Sequence, residues 1–418
     1  MSASTRRSSA AVDERPDGIE YADAVRRLLA VVRTQLGMKV AWVSEFVGDS
    51  LVLRFVDAEP GANAPAEGTT LPIGGSYCAR VLDGRFPALI PDTRQSPEAA
   101  LFDVTTELHI GSYVGVPLLG PEGVPVGILC TVSDTAAPSL SERDTASLTL
   151  LADVLRDLQK RALTAAAADR QRDQLRFVLR TVIEGKGRRP VLQPVVDLAT
   201  GRPVIAEGLT RFTLPSPVGG GDVRTPAQWF GDAERLGLRC ELEVATAASV
   251  LDLLDDGSVP PDVALSVNLA PESVLSPLVV ELLDGRDLSR VVVELTEHAA
   301  VADYDALTEA LLPYRAAGLR VAVDDAGAGY ASLTHVLAVK PDLMKIDMVL
   351  VRGADSDLAR RTLLSALGTF GEMTGCRLVA EGVETQAELE TVRDCGIGYA
   401  QGYLFDPPLP TPHWGRNL

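Results

Sequence analysis

The stretch RVAVDDAGAGYASL, Arg320 to Leu333, sets the reading of the whole chain. An apolar run from Val321 to Val323 leads into two adjacent carboxylates, Asp324 and Asp325, and a glycine-rich turn from Gly327 to Gly329 follows. A strand that ends in two acids and opens into a flexible loop adds little to a core, because charge resists burial unless it is paired or bound to a cation. It suits a divalent metal. Everything downstream of about residue 190 can be read as further arms of that site.

Outward from this stretch, short apolar strands alternate with helical segments. The expected strands are LQPVVDL (192–198), RPVIAEGL (202–209), VALSVNL (263–269), RVVVEL (290–295), LRVAVDD (319–325), LMKID (343–347), CRLVAEG (376–382) and YAQGYLF (399–405). The pieces between them, such as 230–255 and 303–317, have helical periodicity. A repeated strand–helix unit of this length predicts a TIM-like (β/α)8 barrel, whose strand ends converge on one mouth. Those ends carry Glu207, Asn268, Glu294, Asp324 with Asp325, Lys345 with Asp347, Glu381 and Gln401. One acid at a strand end is usually a solvated cap, but polar residues at seven of the eight ends point to one pocket.

The residue types indicate the chemistry. Glu207, Asn268, Glu294 and Asp324 are hard oxygen donors suited to Mg²⁺ or Mn²⁺, and Asp325 and Glu381 could help to hold a second ion. Two such ions about 3.5–4 Å apart can clamp a phosphodiester for in-line attack. Clustered carboxylates repel one another without cations, which argues for metal. Lys345 is the one cation at the mouth, placed either to orient water and phosphate or to make a structural salt bridge. The four histidines have no ligand spacing, which disfavours a zinc site.

The chain has 418 residues and a formal net charge of -18. That field repels polyanions, so DNA, RNA and anionic membranes are not expected partners, although a dinucleotide could be taken up with metal ions. Five scattered cysteines without a CxxC pair read as reduced thiols, no run reaches the length of a membrane span, and the chain is expected to be soluble and cytoplasmic. After a polar tail (1–19), EYADAVRRLLAVVRTQL (20–36) reads as a helix. VAWVSEFV (40–47) and SLVLRFVDA (50–58) form a hairpin about Gly48-Asp49, and IGSYVGVPLL with VPVGILCTVS forms a second. Together these predict a small α+β sensory-type domain over 20–155. From Ser141 to Glu184 one long helix, or two in series, carries an apolar seam at Leu148, Leu151, Leu155 and Leu158 and again at Leu175, Val178, Leu179 and Val182. The seam suits either a parallel dimer stalk or a linker helix packed on its own domain.

The second half resembles the EAL domain, a family of barrel phosphodiesterases that linearise cyclic di-GMP. The matching pieces are QPVVD (193–197), Glu207-Gly208-Leu209 followed by Thr210-Arg211, SVNLA with Asn268, VELTE with Glu294 and Glu297, Asp324-Asp325, Lys345 to Asp347, AEGVET (380–385) and QGYLF from Gln401. The resemblance implies that Glu207, Asn268, Glu294 and Asp324 ligate a first metal, and that Asp325 and Glu381 serve a second metal and its water. It makes Lys345 the activator of that water and Glu384 the prop of the loop after Asp325. It places Arg211 on the substrate phosphate and Gln401 near the substrate. The implied product is linear pGpG, and the implied assembly is a homodimer.

The departures from the family pattern are specific. Gly208 stands where alanine is usual and Phe212 where tryptophan is usual. DDAGAGYAS replaces DDFGTGYSS, so Ala326, Ala328 and Ala331 stand for an aromatic and two hydroxyl residues. A looser loop is expected, and with it the alternative of a weak or inactive cyclic di-GMP receptor or protein-interaction module. The front half resembles a GAF domain through GSYCARVLDGRFPALIPD (75–92), IGSYVGVPL (110–118) and VPVGILC (124–130), a likeness that identifies no ligand. Cys78 in that segment reads as a buried small hydrophobe, with cofactor binding or redox sensing as its alternative. The expected organisation is a tail (1–19), a GAF-like domain (20–155), a helical linker (156–189), an EAL-type barrel (190–412) and a tail (413–418).

Overall fold

A computed structural model describes residues 19–120, 122–214, 224–296, 303–326 and 336–411. The chain divides into two compact units that part between Arg170 and Gln171. No helix among the described residues is long and apolar enough to cross a membrane.

The front unit is an antiparallel sheet of β1 (Val40–Val47), β2 (Ser50–Ala58), β3 (Thr70–Pro72), β4 (Leu89–Ile90), β5 (Ser112–Leu119) and β6 (Pro125–Ser133), in the order β3-β2-β1-β6-β5-β4. Strand alternation sorts its residues onto two faces. Ala41, Val114, Val116 and Leu129 pack with the first helix, Ile19–Gln35, and with Leu148, Ala152 and Leu155. Trp42, Tyr113, Ile128 and Cys130 face short helical segments that carry Tyr77, Cys78 and Ala99, and pack with Phe86.

A single helix of 42 residues, Glu142–Ile183, spans the division between the units. Most of its apolar seam is consumed by packing within each unit. Leu148, Leu151 and Leu155 join the front core, and Leu175, Val178, Leu179 and Val182 pack around Phe212 and Trp229 in the second unit. Leu150, Val154 and Phe177 are exposed.

The second unit is a closed barrel of β7 (Arg188–Asp197), β8 (Arg202–Phe212), β9 (Ala264–Leu269), β10 (Val291–Leu295), β11 (Arg320–Ala326), β12 (Leu343–Ile346), β13 (Arg377–Ala380) and β14 (Tyr399–Ala400). All eight expected strands are present. The uniform strand–helix repeat needs one correction: β7 runs antiparallel to both β8 and β14. The cause is local. Asp197 accepts backbone hydrogen bonds from Ala199 and Thr200 and closes a tight turn, which leaves no room for the crossover that a parallel pair requires. The segment 230–255 is likewise two helices, Pro226–Arg235 and Arg239–Asp255, broken where Gly237 takes a φ of 69°.

Candidate active site

The barrel interior is built in layers two residues apart, because alternate side chains of a strand face inward. The lower layer is apolar: Val195, Ile205, Ala264, Val292, Ala322, Leu343 and Val379. Two residues nearer the mouth on those same strands stand Gln193, Glu207, Ser266, Glu294, Asp324, Lys345 and Glu381, joined by Gln401 just beyond β14. β7 contributes Gln193 by counting backwards, since it alone runs the other way.

Lys345 is the hub of this polar layer. Its Nζ lies 2.7 Å from Glu381 Oε1, 2.8 Å from Glu294 Oε2, 3.0 Å from Asp324 Oδ1 and 3.3 Å from Glu207 Oε2. Asn268 Nδ2 donates to Glu207 Oε1 at 3.3 Å. Gln401 Nε2 donates to Glu207 Oε2 at 2.5 Å and to Gln193 Oε1 at 3.0 Å. Gln193 in turn donates to the Asp406 carbonyl at 3.1 Å.

Burial makes this cluster electrostatically unusual. Loss of solvent raises the Glu294 carboxyl to about 8, with Glu207 and Asp324 adding repulsion and Lys345 opposing. Glu381 is also pushed well up, by burial first and by the negative charges of Asp324 and Glu207. Burial acts against the Lys345 ammonium, but the four surrounding carboxylates hold its pKa well above the ordinary value.

Adjacent residues of a regular strand face opposite sides, so Asp324 and Asp325 could not both serve one site without a distortion. β11 supplies it. Between Val323 and Ala326 it carries one residue more than its partner β12, and Asp325 takes a left-handed φ of 52°. The bulge re-aims the pair, and one oxygen each from Asp324, Asp325 and Glu381 lies within 4.8 Å of the others. Asp324 Oδ1 and Gln401 Oε1 are buried acceptors that receive no hydrogen bond of ordinary geometry among the described residues, the Lys345 contact to Asp324 being an ion pair off that angle. A hard-oxygen donor set with spare acceptors fits a divalent cation.

Arg211 lies exposed at the end of β8, beside a cavity of about 110 Å³ that Gly208, Phe230, Val250 and Asn268 also line. Gly208 is a packing residue. A Cβ there would meet Val250 Cγ1 at 2.3 Å and the Ser266 carbonyl oxygen at 2.9 Å, so its role exceeds added backbone freedom. Glu384 pairs with Arg352. Ala326 is buried in a core cluster with Val336 and Ile346. Glu297 and the loop residues Ala328 and Ala331 lie outside the described residues.

Sequence reading passed over three supporting residues. Gln193 stood in a quoted motif but was not singled out, although a polar residue within an apolar strand was a visible signal. Glu388 fastens the AEGVET turn by accepting from the backbone nitrogens of Gly353, Glu384 and Thr385, each at 3.0 Å. Its signal was the T-x-x-E capping box from Thr385. Glu243, on an outer helix, accepts from the Ala270 backbone at 2.9 Å and from Arg239 at 2.8 Å, which anchors the turn after Asn268. Nothing local in the sequence marked it.

The family model described as "EAL domain" matches residues 177–408, and that described as "GAF domain" matches 20–156. A protein of Escherichia coli K12 described as a "probable cyclic di-GMP phosphodiesterase PdeB" is 30% identical over 241 residues, 56% of this chain and 45% of that protein. The "bifunctional diguanylate cyclase/cyclic di-GMP phosphodiesterase MucR" of Pseudomonas aeruginosa is 25% identical over 383 residues, 87% of this chain and 53% of that protein. The solved structure titled "PaMucR Phosphodiesterase, c-di-GMP complex" aligns with a TM-score of 0.50 at 27% identity, covering 57% of this chain and 98% of that one. The chain spans between 29% and 53% of the length of such curated relatives. With the polar layer at the barrel mouth and the family match over more than half its length, the chain belongs to the EAL-domain family and carries a GAF domain ahead of the barrel.

Proposed function

We propose that this protein is a metal-dependent phosphodiesterase that opens cyclic di-GMP to linear pGpG. The observation that carries the reading is the polar layer: four carboxylates about Lys345, with Asp324, Asp325 and Glu381 gathered within 4.8 Å. The likeness to PdeB, described as a probable cyclic di-GMP phosphodiesterase, and to MucR, described as a bifunctional diguanylate cyclase/cyclic di-GMP phosphodiesterase, supports the substrate. Glu207, Asn268, Glu294 and Asp324 would hold a first Mg²⁺ or Mn²⁺, and Asp325 and Glu381, with Asp324 shared, a second. Bound there, such ions supply Lewis acidity toward a phosphodiester and lower the pKa of water.

The chain's own groups do the rest. Lys345 holds the carboxylates together and offers its ammonium to orient water or a phosphate oxygen. Glu381 would accept a proton from water at its carboxylate. Arg211, exposed at the mouth, offers a guanidinium fork for phosphate. Gln401 is fixed by Gln193 and Glu207 beside the substrate position. Glu384, held by Arg352, supports the loop after Asp325. The GAF domain regulates turnover, and the active assembly is a homodimer.

The test is hydrolysis of cyclic di-GMP by the full chain with Mg²⁺ and then Mn²⁺, with products resolved by ion exchange. We expect pGpG, and its loss to background in Glu207→Ala and Asp324→Ala. Undiminished turnover in either variant would sink the assignment, and tight binding without turnover by the parent protein would make it a receptor.

A further inference from the structure

The front unit buries two thiols against each other. Cys78 lies in the helix Tyr77–Leu82 and Cys130 on β6; they share one core cluster, with 2% and 0% of their surface exposed, and each thiol acts on the other. The surrounding polar groups are not explained by packing alone. Strand register sets Cys130 opposite Gly115 on one side and Trp42 on the other. Gly115 is bare because the Tyr113 ring lies over it: an added Cβ would stand 2.1 Å from the tyrosine hydroxyl. That hydroxyl therefore sits beside Cys130, and it also reaches Cys78.

Tyr113 is fully buried, yet its hydroxyl makes no hydrogen bond of ordinary geometry among the described residues, and the same holds for the Trp42 indole nitrogen. An uncompensated hydroxyl beside two thiols is costly in an apolar core. That of Tyr113 is well placed to stabilise sulfur that becomes negatively charged or oxygenated.

We propose that Cys78 and Cys130 are a redox-active dithiol that closes to a disulfide when a hydroperoxide oxidises it. The two sulfurs have unequal parts. The Cys130 thiol first, and then the nearby hydroxyls of Ser44 and Tyr113, lower the Cys78 pKa against the effect of burial, whereas burial and the Cys78 neighbour push Cys130 well up. Cys78 thiolate attacks one peroxide oxygen, the O–O bond breaks, and the departing oxygen takes a proton and leaves as water. Cys130 then attacks the resulting Cys78 sulfenic acid. The S–S bond forms, the S–O bond breaks, and the hydroxyl leaves with the Cys130 proton as a second water. Two thiols and one hydrogen peroxide thus become one disulfide and two waters.

The test treats the reduced full chain with hydrogen peroxide, alkylates the remaining thiols after denaturation, and maps the peptides by mass spectrometry. We expect a Cys78–Cys130 linked peptide two hydrogens lighter than the sum of its halves, with Cys240, Cys376 and Cys395 recovered alkylated. Cys130→Ser should give no such link, and Tyr113→Phe should slow its formation several-fold. Recovery of both Cys78 and Cys130 as alkylated thiols from the oxidised parent protein would overturn the proposal, as would links spread without preference over the other cysteines. An unchanged rate in Tyr113→Phe would overturn the part given to the hydroxyl.

Discussion

At the centre of the front unit, Tyr77, Phe86, Phe102 and Tyr113 pack ring against ring at centroid distances of 4.9 to 5.6 Å around two thiols. At the mouth of the barrel, four carboxylates surround one ammonium. The first interior is stabilised by transfer of apolar surface from water and by the geometry of its rings. The second is built from groups that each lose hydration on burial, so one cation must offset four anions. Such an arrangement has no advantage as a core. It marks the place where the fold holds charge for chemistry, whereas the interior of the front unit is uncharged.

The strongest way to break this comparison is Lys345→Met. If the polar layer depends on its buried ammonium, the variant should lose about 3–5 kcal/mol in denaturant unfolding without divalent metal, because four acids remain buried without a counter-charge. Adding Mg²⁺ or Mn²⁺ should recover part of the loss. Unchanged stability would mean that the carboxylates protonate or separate at little cost.

A smaller effect is expected from Gly208→Ala, which restores the residue usual in the family motif. The added methyl group runs into Val250, so stability should fall by about 1–3 kcal/mol, and Val250→Ala should relieve part of it when combined. Thermal unfolding of the two single variants and the double variant checks this. Additive losses would show that the two side chains do not compete for the same space.

The smallest effect belongs to the front unit. Tyr77 shares a 2.6 Å hydrogen bond with the Thr105 hydroxyl, which donates to the Ala99 carbonyl at 2.6 Å. Tyr77→Phe keeps the ring and removes one hydroxyl, and should cost about 0.5–1.5 kcal/mol in denaturant unfolding. A loss as large as that of Lys345→Met would erase the contrast between the two interiors.

Much of this was readable in the string of residues. Hydrophobic alternation located all eight barrel strands, because apolar runs of strand length bounded by turns have few other uses. The acids, Asn268, Lys345 and Gln401 stood out as polar residues where those runs end. Adjacent Asp324 and Asp325 signalled a site but not how both could face it. That took the extra residue in β11 and a left-handed φ at Asp325, a backbone departure that an aspartate pair does not announce. The reversed direction of β7 was hidden for a similar reason. A short turn and a helix both follow a strand, and only the Asp197 hydrogen bonds distinguish them here.

Composition, strand spacing and motif order determined the two-part organisation, the barrel and the identity of the acids, because these depend on local periodicity and residue chemistry. Tertiary structure decided which groups meet. It set Lys345 among four carboxylates, turned Gln193 toward Gln401, filled the space beside Gly208 with Val250 and brought Cys78 to Cys130 across 51 intervening positions of the chain. Contacts of that range depend on sheet register and layer packing, which arise only when distant segments close on one another, and no local pattern encodes them.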